Sequence, residues 1–339
     1  MVDPPLLRDT VLGRTPPVSI EQVGAHVFKV TLVDGLQAAF KQFPEAPAPD
    51  PLSTEAAVLR RLHGLGCPVP EVYLVETSAR ILVTAWAGDR TMDDLCQEDD
   101  REAVGRCGGE IAEGLCQIEA TSDWKAEPLR ALTLNPDAED EADGIHRNAR
   151  AALNVLLRRD DGSMKRAREN LEQVMAGVRQ GTRSVASLDY NARNAVTDAS
   201  GKARFIDFSA VGWDWPERRF VQYVTGLGAC RAGGRLVSPL TPELVNRYVR
   251  ARSAASPGAD GEAVARAVDA HDLLFHLLVL ARLLRAEDNP EAVESRLLRR
   301  VWDGPKDRRR QAILNLGRPL SDAPGVNALR EMFRGRGDP

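Results

Sequence analysis

The chemistry open to this chain is concentrated in one stretch, Ser187 to Asp207, reading Ser-Leu-Asp-Tyr-Asn-Ala-Arg-Asn-Ala-Val-Thr-Asp-Ala-Ser-Gly-Lys-Ala-Arg-Phe-Ile-Asp. It carries a carboxylate at Asp189, a carboxamide at Asn194 and a second carboxylate at Asp207. Residues 195–197, 198–201 and 203–206 read as strand, turn and strand. A hairpin of that length brings Asn194 and Asp207 side by side. Two carboxylates held within ~6 Å repel by roughly 3 kcal/mol at an effective dielectric near 20, so a fold that gathers them supplies a cation. The oxygen-rich set suggests Mg²⁺.

A second pair of chemically able residues, Lys41 and Glu55, depends on the elements that carry it. Residues 18–23, 26–32 and 36–42 read as three short strands of an antiparallel meander, with Gly24 in the first turn and Asp34-Gly35 in the second. Period-two alternation puts Gln37, Ala39 and Lys41 on one face of the third strand. A proline-rich link from Pro44 to Pro51 opens into a helix over 53–63, with Ser53 or Thr54 near its start. Glu55, Leu59 and Leu62 share the inward face of that helix. A carboxylate there is costly unless paired, and Lys41 is the natural partner; the alternative is a first-turn acid favoured by the helix dipole.

Gly66 to Pro70 stops this helix, and 71–76 and 81–84 form two more strands before Ala87-Gly88 breaks the pattern. From Thr91 onward helical periodicity dominates, with helices expected over 102–120, 146–158 and 164–178. Beyond Gly212 to Pro216 they are expected over 217–227, 242–254, 262–286, 291–302 and 306–316.

Composition narrows the function classes. The 339 residues are 43% apolar and 28% charged with net charge −4, as in a soluble globular protein with no general pull toward nucleic acid. The basic cluster Arg299, Arg300, Lys306, Arg308, Arg309 and Arg310 reads as the solvated side of C-terminal helices. Five cysteines form no Cys-x-x-Cys pair, and no secretory leader is visible, so reduced thiols in the cytoplasm are expected. The most apolar run, 273–284, is interrupted by His276 and Arg282 and reads as a buried helix, so no membrane span is expected. No Gly-x-x-x-x-Gly-Lys-Ser/Thr loop is present. His271 and His276 miss the spacing of a zinc pair and read as core residues. The acidic run Asp137, Glu139, Asp140, Glu141, Asp143 reads as a solvated loop, the alternative being an anionic patch for a cationic acceptor.

Asp-x-x-x-x-Asn, a short hairpin and then Ile-Asp-Phe resembles the catalytic and metal-binding segments of the protein-kinase-like fold. The closer resemblance is to aminoglycoside- and choline-type phosphotransferases, whose catalytic loop reads roughly His-Gly-Asp-x-x-x-x-Asn. Here Ser187 replaces the His, Leu188 the Gly, and Ser209 follows Phe208 where an acid is usual. Ala-Ala-Phe-Lys41 resembles the kinase Val-Ala-Ile-Lys strand, and Leu59 to Pro70 followed by Ile81 to Gly88 looks like the helix, strand and hinge of the aminoglycoside enzymes.

The resemblance implies an α+β fold of two lobes. Residues 1–86 would form a nucleotide-binding lobe of antiparallel sheet plus one helix, and 87–339 a mainly helical lobe with the catalytic loop and acceptor site. It implies Asp189 as the catalytic residue, Asn194 and Asp207 as Mg ligands, and Lys41, held by Glu55, on the α/β-phosphates of ATP, or of GTP as the alternative. Ala39 would leave room for the adenine, Val83 would fill the back of the pocket, and the backbone of Thr84, Ala85 and Trp86 would meet the adenine edge. Trp86 would pack on the base or serve as inter-lobe core; Arg193 would touch the transferring phosphate or face solvent. Related enzymes brace the catalytic loop with an Asp shortly after the Gly212 position, where this chain offers Asp214, Arg218 or Arg219. The implied activity is phosphoryl transfer to a small-molecule hydroxyl in antibiotic resistance, self-protection or metabolism. Two alternatives stand beside it: a kinase-like enzyme acting on Ser or Thr of a peptide, and a nucleotide-binding pseudokinase, the latter motivated by the missing His and the single glycine of the first turn.

Overall fold

The computed structural model describes residues 17–334 apart from 47, 99, 122–128, 135–138, 158–160, 199, 226–229, 233–234 and 290–313. The helix expected over 291–302, most of that over 306–316 and the basic cluster lie outside the described residues.

The N-terminal part is an antiparallel sheet in the order β1-β2-β3-β5-β4, formed by Pro17–Gln22, Val27–Leu32, Gln37–Gln42, Ile81–Ala85 and Val72–Glu76 for β1, β2, β3, β5 and β4. One helix, α1 (Pro51–Gly64), enters between β3 and β4. The meander arises as expected because Gly35, at φ +83°, takes a turn conformation a side chain resists. The first turn of α1 differs from expectation. Asp50 is the cap, accepting from Ser53 N at 3.0 Å, with Pro51 filling the first helical position. The carboxylate also accepts from the Arg80 guanidinium at 2.6 Å, so this helix start is tied to the β4–β5 turn.

The sheet has two working faces. On one, Ala38, Phe40, Ile81 and Val83 pack with Val30 and Leu32 into a small separate core. On the other, Lys41 lies opposite Leu82, and Ala39 opposite Thr84. The period of two therefore sends Val83 away from the cleft, correcting its expected place at the back of the pocket; Leu82 stands there instead.

The larger C-terminal part is mainly helical. A short strand β6 (Arg90–Thr91) leads into α2 (Met92–Gln97) and α3 (Arg101–Thr121), followed by α4 (Glu139–Leu156) and α5 (Asp161–Gln180). Strand β7 (Ser184–Ser187) then delivers the catalytic stretch, and the hairpin β8 (Ala195–Thr197) to β9 (Ala203–Phe205) follows. Strand β10 (Val211–Asp214) returns to pair with β7 before α6 (Pro216–Val224). Another short hairpin, β11 (Cys230–Ala232) and β12 (Arg235–Val237), precedes α7 (Pro242–Ala255), α8 (Gly261–Asp288) and α9 (Pro324–Glu331). The apolar run in α8 is buried as expected, through Leu273, Leu274, Leu277, Leu280, Ala281 and Leu283. Among the described residues no helix is long and apolar enough to cross a membrane.

The main core is continuous through both parts. Leu52, Leu59, Leu62 and Leu82 from the sheet side pack in one cluster with Ile111, Leu115, Phe205, Phe208 and Phe220 from the helical side. Gly88 joins the two at the backbone: at φ +149° it lies so close to the Thr197 carbonyl that a Cβ would sit 2.0 Å from that oxygen. Only glycine fits this approach. It lets β6 pair with β8, so the post-hinge segment is hydrogen-bonded to the hairpin that carries Asn194 and Asp207 at its base.

Candidate active site

Lys41, at the end of β3, and Glu55, just past the first turn of α1, meet as the alternation and helical spacing required: Nζ lies 2.7 Å from Oε2. The same ammonium lies 2.8 Å from Oδ1 of Asp207, which is 166 residues away in sequence. One lysine is thus shared by a buried carboxylate and a half-buried one. Burial outweighs the attraction of Lys41 on Glu55, and with the negative charge of Asp207 it pushes the Glu55 carboxyl up to about 7. Asp207 moves the other way. Its burial raises the pKa, but Lys41 and the Ser209 hydroxyl, donating at 2.7 Å, together bring it below the ordinary carboxylate range. For Lys41, burial opposes the charge while Glu55 and Asp207 favour it, and the carboxylates prevail, leaving the ammonium pKa raised.

Hairpin geometry sets the other two residues. Ile206 N donates to Asn194 O at 3.0 Å, closing the base of β8–β9 and setting Asn194 across from the strand end that leads into Asp207. Asn194 Nδ2 donates to the Asp189 carbonyl oxygen at 2.6 Å, folding the loop of Asp189 back on itself. The Asp189 carboxylate accepts from Asn191 Nδ2 at 2.9 Å. Asp207 itself has φ +63°, an unusual conformation for a non-glycine residue and costly enough to persist only where the surroundings hold it.

Lys41, Glu55, Asn194 and Asp207 open on a cleft of about 530 Å³ between sheet and helical part, also lined by Ala39, Leu82, Thr84, Ala85 and Trp86. The N–H groups of Ala85 and Trp86 already donate within the fold, to Glu71 O at 2.8 Å and Gln37 O at 3.1 Å. The Trp86 ring lines the cleft, its indole N–H held by Asp89 at 2.9 Å and its face covered by the Lys29 ammonium at 4.8 Å.

The sequence profile of the phosphotransferase enzyme family matches residues 20–268. The chain belongs to that family. It is therefore a phosphotransferase, and the matched span takes in the cleft and every residue named above. A search of curated proteins found no match. Among solved structures, the fold is similar to an aminoglycoside phosphotransferase from Alicyclobacillus acidocaldarius (TM-score 0.57, 15% identity, covering 94% of this chain and 93% of that one). It is also similar to a choline/ethanolamine kinase family protein from Mesorhizobium loti (TM-score 0.55, 17% identity, 97% and 96% covered). A third is a macrolide 2'-phosphotransferase from Brachybacterium faecium (TM-score 0.57, 13% identity, 88% and 96% covered). These likenesses bear out the α+β kinase-like fold.

Ser187 stands where the resemblance to aminoglycoside- and choline-type phosphotransferases implied a His. Its hydroxyl donates to the Asp207 carbonyl oxygen at 3.0 Å and accepts from Asp189 N at 3.1 Å, linking both acidic residues. The three candidates for a brace divide the work. Asp214 accepts from the Tyr190 hydroxyl and from Arg218 at 2.8 Å. Arg218 reaches on to Glu141 at 2.6 Å. Arg219 is fully buried behind the loop.

The acidic run expected as a loop is instead helical from Glu139. Glu141 is paired with Arg218, and Asp143 with Arg179 at 3.0 Å, so these two carboxylates are tied into the fold; Asp137 lies outside the described residues. Sequence reasoning passed over Asp93, which is buried at the cleft edge and meets Arg193 Nε at 3.1 Å. The signal was there: Thr91 and Asp94 form a capping box, and that fixes the first turn of α2 and the direction of Asp93.

Proposed function

We propose that this phosphotransferase moves the γ-phosphoryl group of Mg·ATP to a hydroxyl of a small molecule, with residues 1–86 forming the nucleotide lobe and 87–339 the catalytic and acceptor lobe. The observation that carries the reading is the shared ammonium of Lys41 between Glu55 and Asp207 at the floor of the cleft. The ammonium offsets the charge of the two carboxylates and is placed to meet the phosphates of a nucleotide. The donors suit magnesium: a carboxylate from Asp207 and the amide oxygen of Asn194, whose nitrogen is committed to the Asp189 carbonyl. Structures of the same fold in complex with nucleotide add support, among them an AMP-bound spectinomycin phosphotransferase and a GDP-bound aminoglycoside 2'-phosphotransferase.

Magnesium, when bound, supplies charge neutralisation across the phosphates. The protein residues supply position. Lys41, steadied by Glu55, holds the α/β-phosphates. Asp189 orients the acceptor hydroxyl and takes its proton as the new P–O bond forms and the bond to the β-phosphate oxygen breaks. Orientation of the hydroxyl contributes more to the rate than abstraction of its proton. Since the N–H groups of Ala85 and Trp86 are occupied, the adenine edge is met by hinge carbonyls and by N–H groups from Ala87 onward. Aminoglycosides, macrolides, choline-like alcohols and related metabolites are the acceptor classes that the structural likenesses point to. The hydrogen bonds of Ser187 to both Asp189 and Asp207 weigh against the pseudokinase alternative.

The test is phosphate transfer from labelled ATP over a panel of antibiotic and metabolite hydroxyls. Asp189→Ala is expected to lower turnover roughly 10³-fold while Mg·ATP affinity holds. A variant that keeps wild-type turnover would remove Asp189 from the mechanism.

A further inference from the structure

We propose that Ser187 and Arg219 act together as positioning residues for transfer, Ser187 joining the Asp189 loop to Asp207 and Arg219 fixing Ser187; this rests on the reading of transfer given above. Arg219 is 0% exposed, and its guanidinium is spent on three backbone carbonyls around the Asp189 stretch, one hydroxyl and one counter-charge. Nη1 donates to Glu119 Oε1 at 3.0 Å and to Ser184 Oγ at 2.9 Å. Nη2 donates to Ser184 O and Gly212 O, both at 2.9 Å, and Nε to Ser187 O at 3.3 Å.

The three carbonyls belong to the strands that enter and leave the site. Ser184 and Ser187 begin and end β7; Gly212 lies in β10, where Val211 pairs with Ser187 and Gly212 with Ala186. A planar fork bonded to both strands fixes their spacing, which a lysine with one rotating ammonium does less well. The strand ends are the roots of two loops, one bearing Asp189 and the other Asp207, and the Ser187 hydroxyl bridges them. The left-handed backbone of Asp207 needs such over-determination to persist, and the bond from Ser187 falls on the carbonyl of that residue. Neither side chain lines the cleft, and Asp189 also lies outside its lining; Ser187 and Arg219 reach the cleft through Asp207 and act on Asp189 through its loop.

The experiment measures ATP hydrolysis, water standing in for the acceptor, with Mg·ATP binding and thermal unfolding followed in parallel. Ser187→Ala should lower kcat roughly 10- to 100-fold, as small misplacement of reacting groups does. KM for Mg·ATP should stay within about 2-fold and the unfolding midpoint close to wild type. Ser187→Thr, which keeps the hydroxyl, should recover most of the loss. Arg219→Lys, which keeps the charge opposite Glu119, should lower kcat in the same way, and the double variant Ser187→Ala/Arg219→Lys should be no slower than Ser187→Ala alone. Wild-type kcat in Ser187→Ala, or independent multiplication of the two losses, would overturn the pair. A wild type that binds Mg·ATP with no turnover at all would overturn the transfer reading beneath it, an outcome distinct from a turning-over wild type matched by Ser187→Ala.

Discussion

Lys41 and Arg219 both face carboxylates, and their surroundings differ in kind. Lys41 stands at the floor of an open cleft between Glu55 and Asp207, two acids against one base, with its side chain 22% exposed. Arg219 stands behind the catalytic loop with both its own and the Glu119 side chain 0% exposed and every guanidinium edge bonded. The Lys41 cluster carries a surplus of negative charge that a magnesium ion arriving with the triphosphate would offset. The Arg219 guanidinium has no N–H left to give a ligand. Incomplete local neutralisation marks charges that work on a substrate; complete satisfaction marks charges that hold a frame.

Removing the two cations sharpens the contrast most. Arg219→Ala leaves the buried Glu119 with Arg252, 3.7 Å away, as its remaining counter-charge and should cost about 3–5 kcal/mol of stability by denaturant titration. Lys41→Met should cost no more than about 1 kcal/mol, because Glu55, already pushed up to about 7, takes on a proton readily, while Mg·ATP affinity falls. Equal stability losses in the two variants would erase the distinction.

A smaller effect lies in the pH dependence of Glu55. Its pKa in the fold is raised above the ordinary 4.5 to about 7, so the fold favours the protonated form. That contribution is fully present below pH 4.5 and is lost as pH rises toward 7. Glu55→Gln, which cannot titrate, should lack the part of the decline in unfolding midpoint that wild type shows over this window. A wild-type midpoint that rises across the same window, and is flattened by the substitution, would show the ionised pair to be the favoured state. The smallest effect is expected at the cleft mouth. There Lys29 spans from β2 to Asp89, whose side chain is 68% exposed. Lys29→Met should change nucleotide KM by about 2- to 3-fold, as befits a solvated ion pair.

Much of this arrangement was legible in the chain because it is local. Alternation along β3 placed Lys41, helical spacing in α1 placed Glu55, and the hairpin length placed Asn194 against the end of β9. What was misread depends on partners far away in sequence. Whether Leu82 or Val83 meets the cleft is decided by the register of β5 on β3, and one step of register exchanges them. The acidic run at 139–143 looked like a solvated loop, but Arg218 and Arg179, 77 and 36 residues away, give Glu141 and Asp143 their partners in a helix. Asp50 lost the capping role in the reading because Ser53 and Thr54 are equally good caps. Pro51, suited to a first helical position, was the better guide. The task of Arg219 has no local signature at all, since its carbonyl partners are chosen by the pairing of β7 with β10.

The most direct measurement is calorimetric titration of ATP into wild type and Asp207→Ala, each with and without magnesium. Magnesium should tighten ATP binding to the wild type and give no such gain in the variant. An equal magnesium-dependent gain in both proteins would contradict the account, because the cleft would then hold its nucleotide without the carboxylate that Lys41 brings into the site.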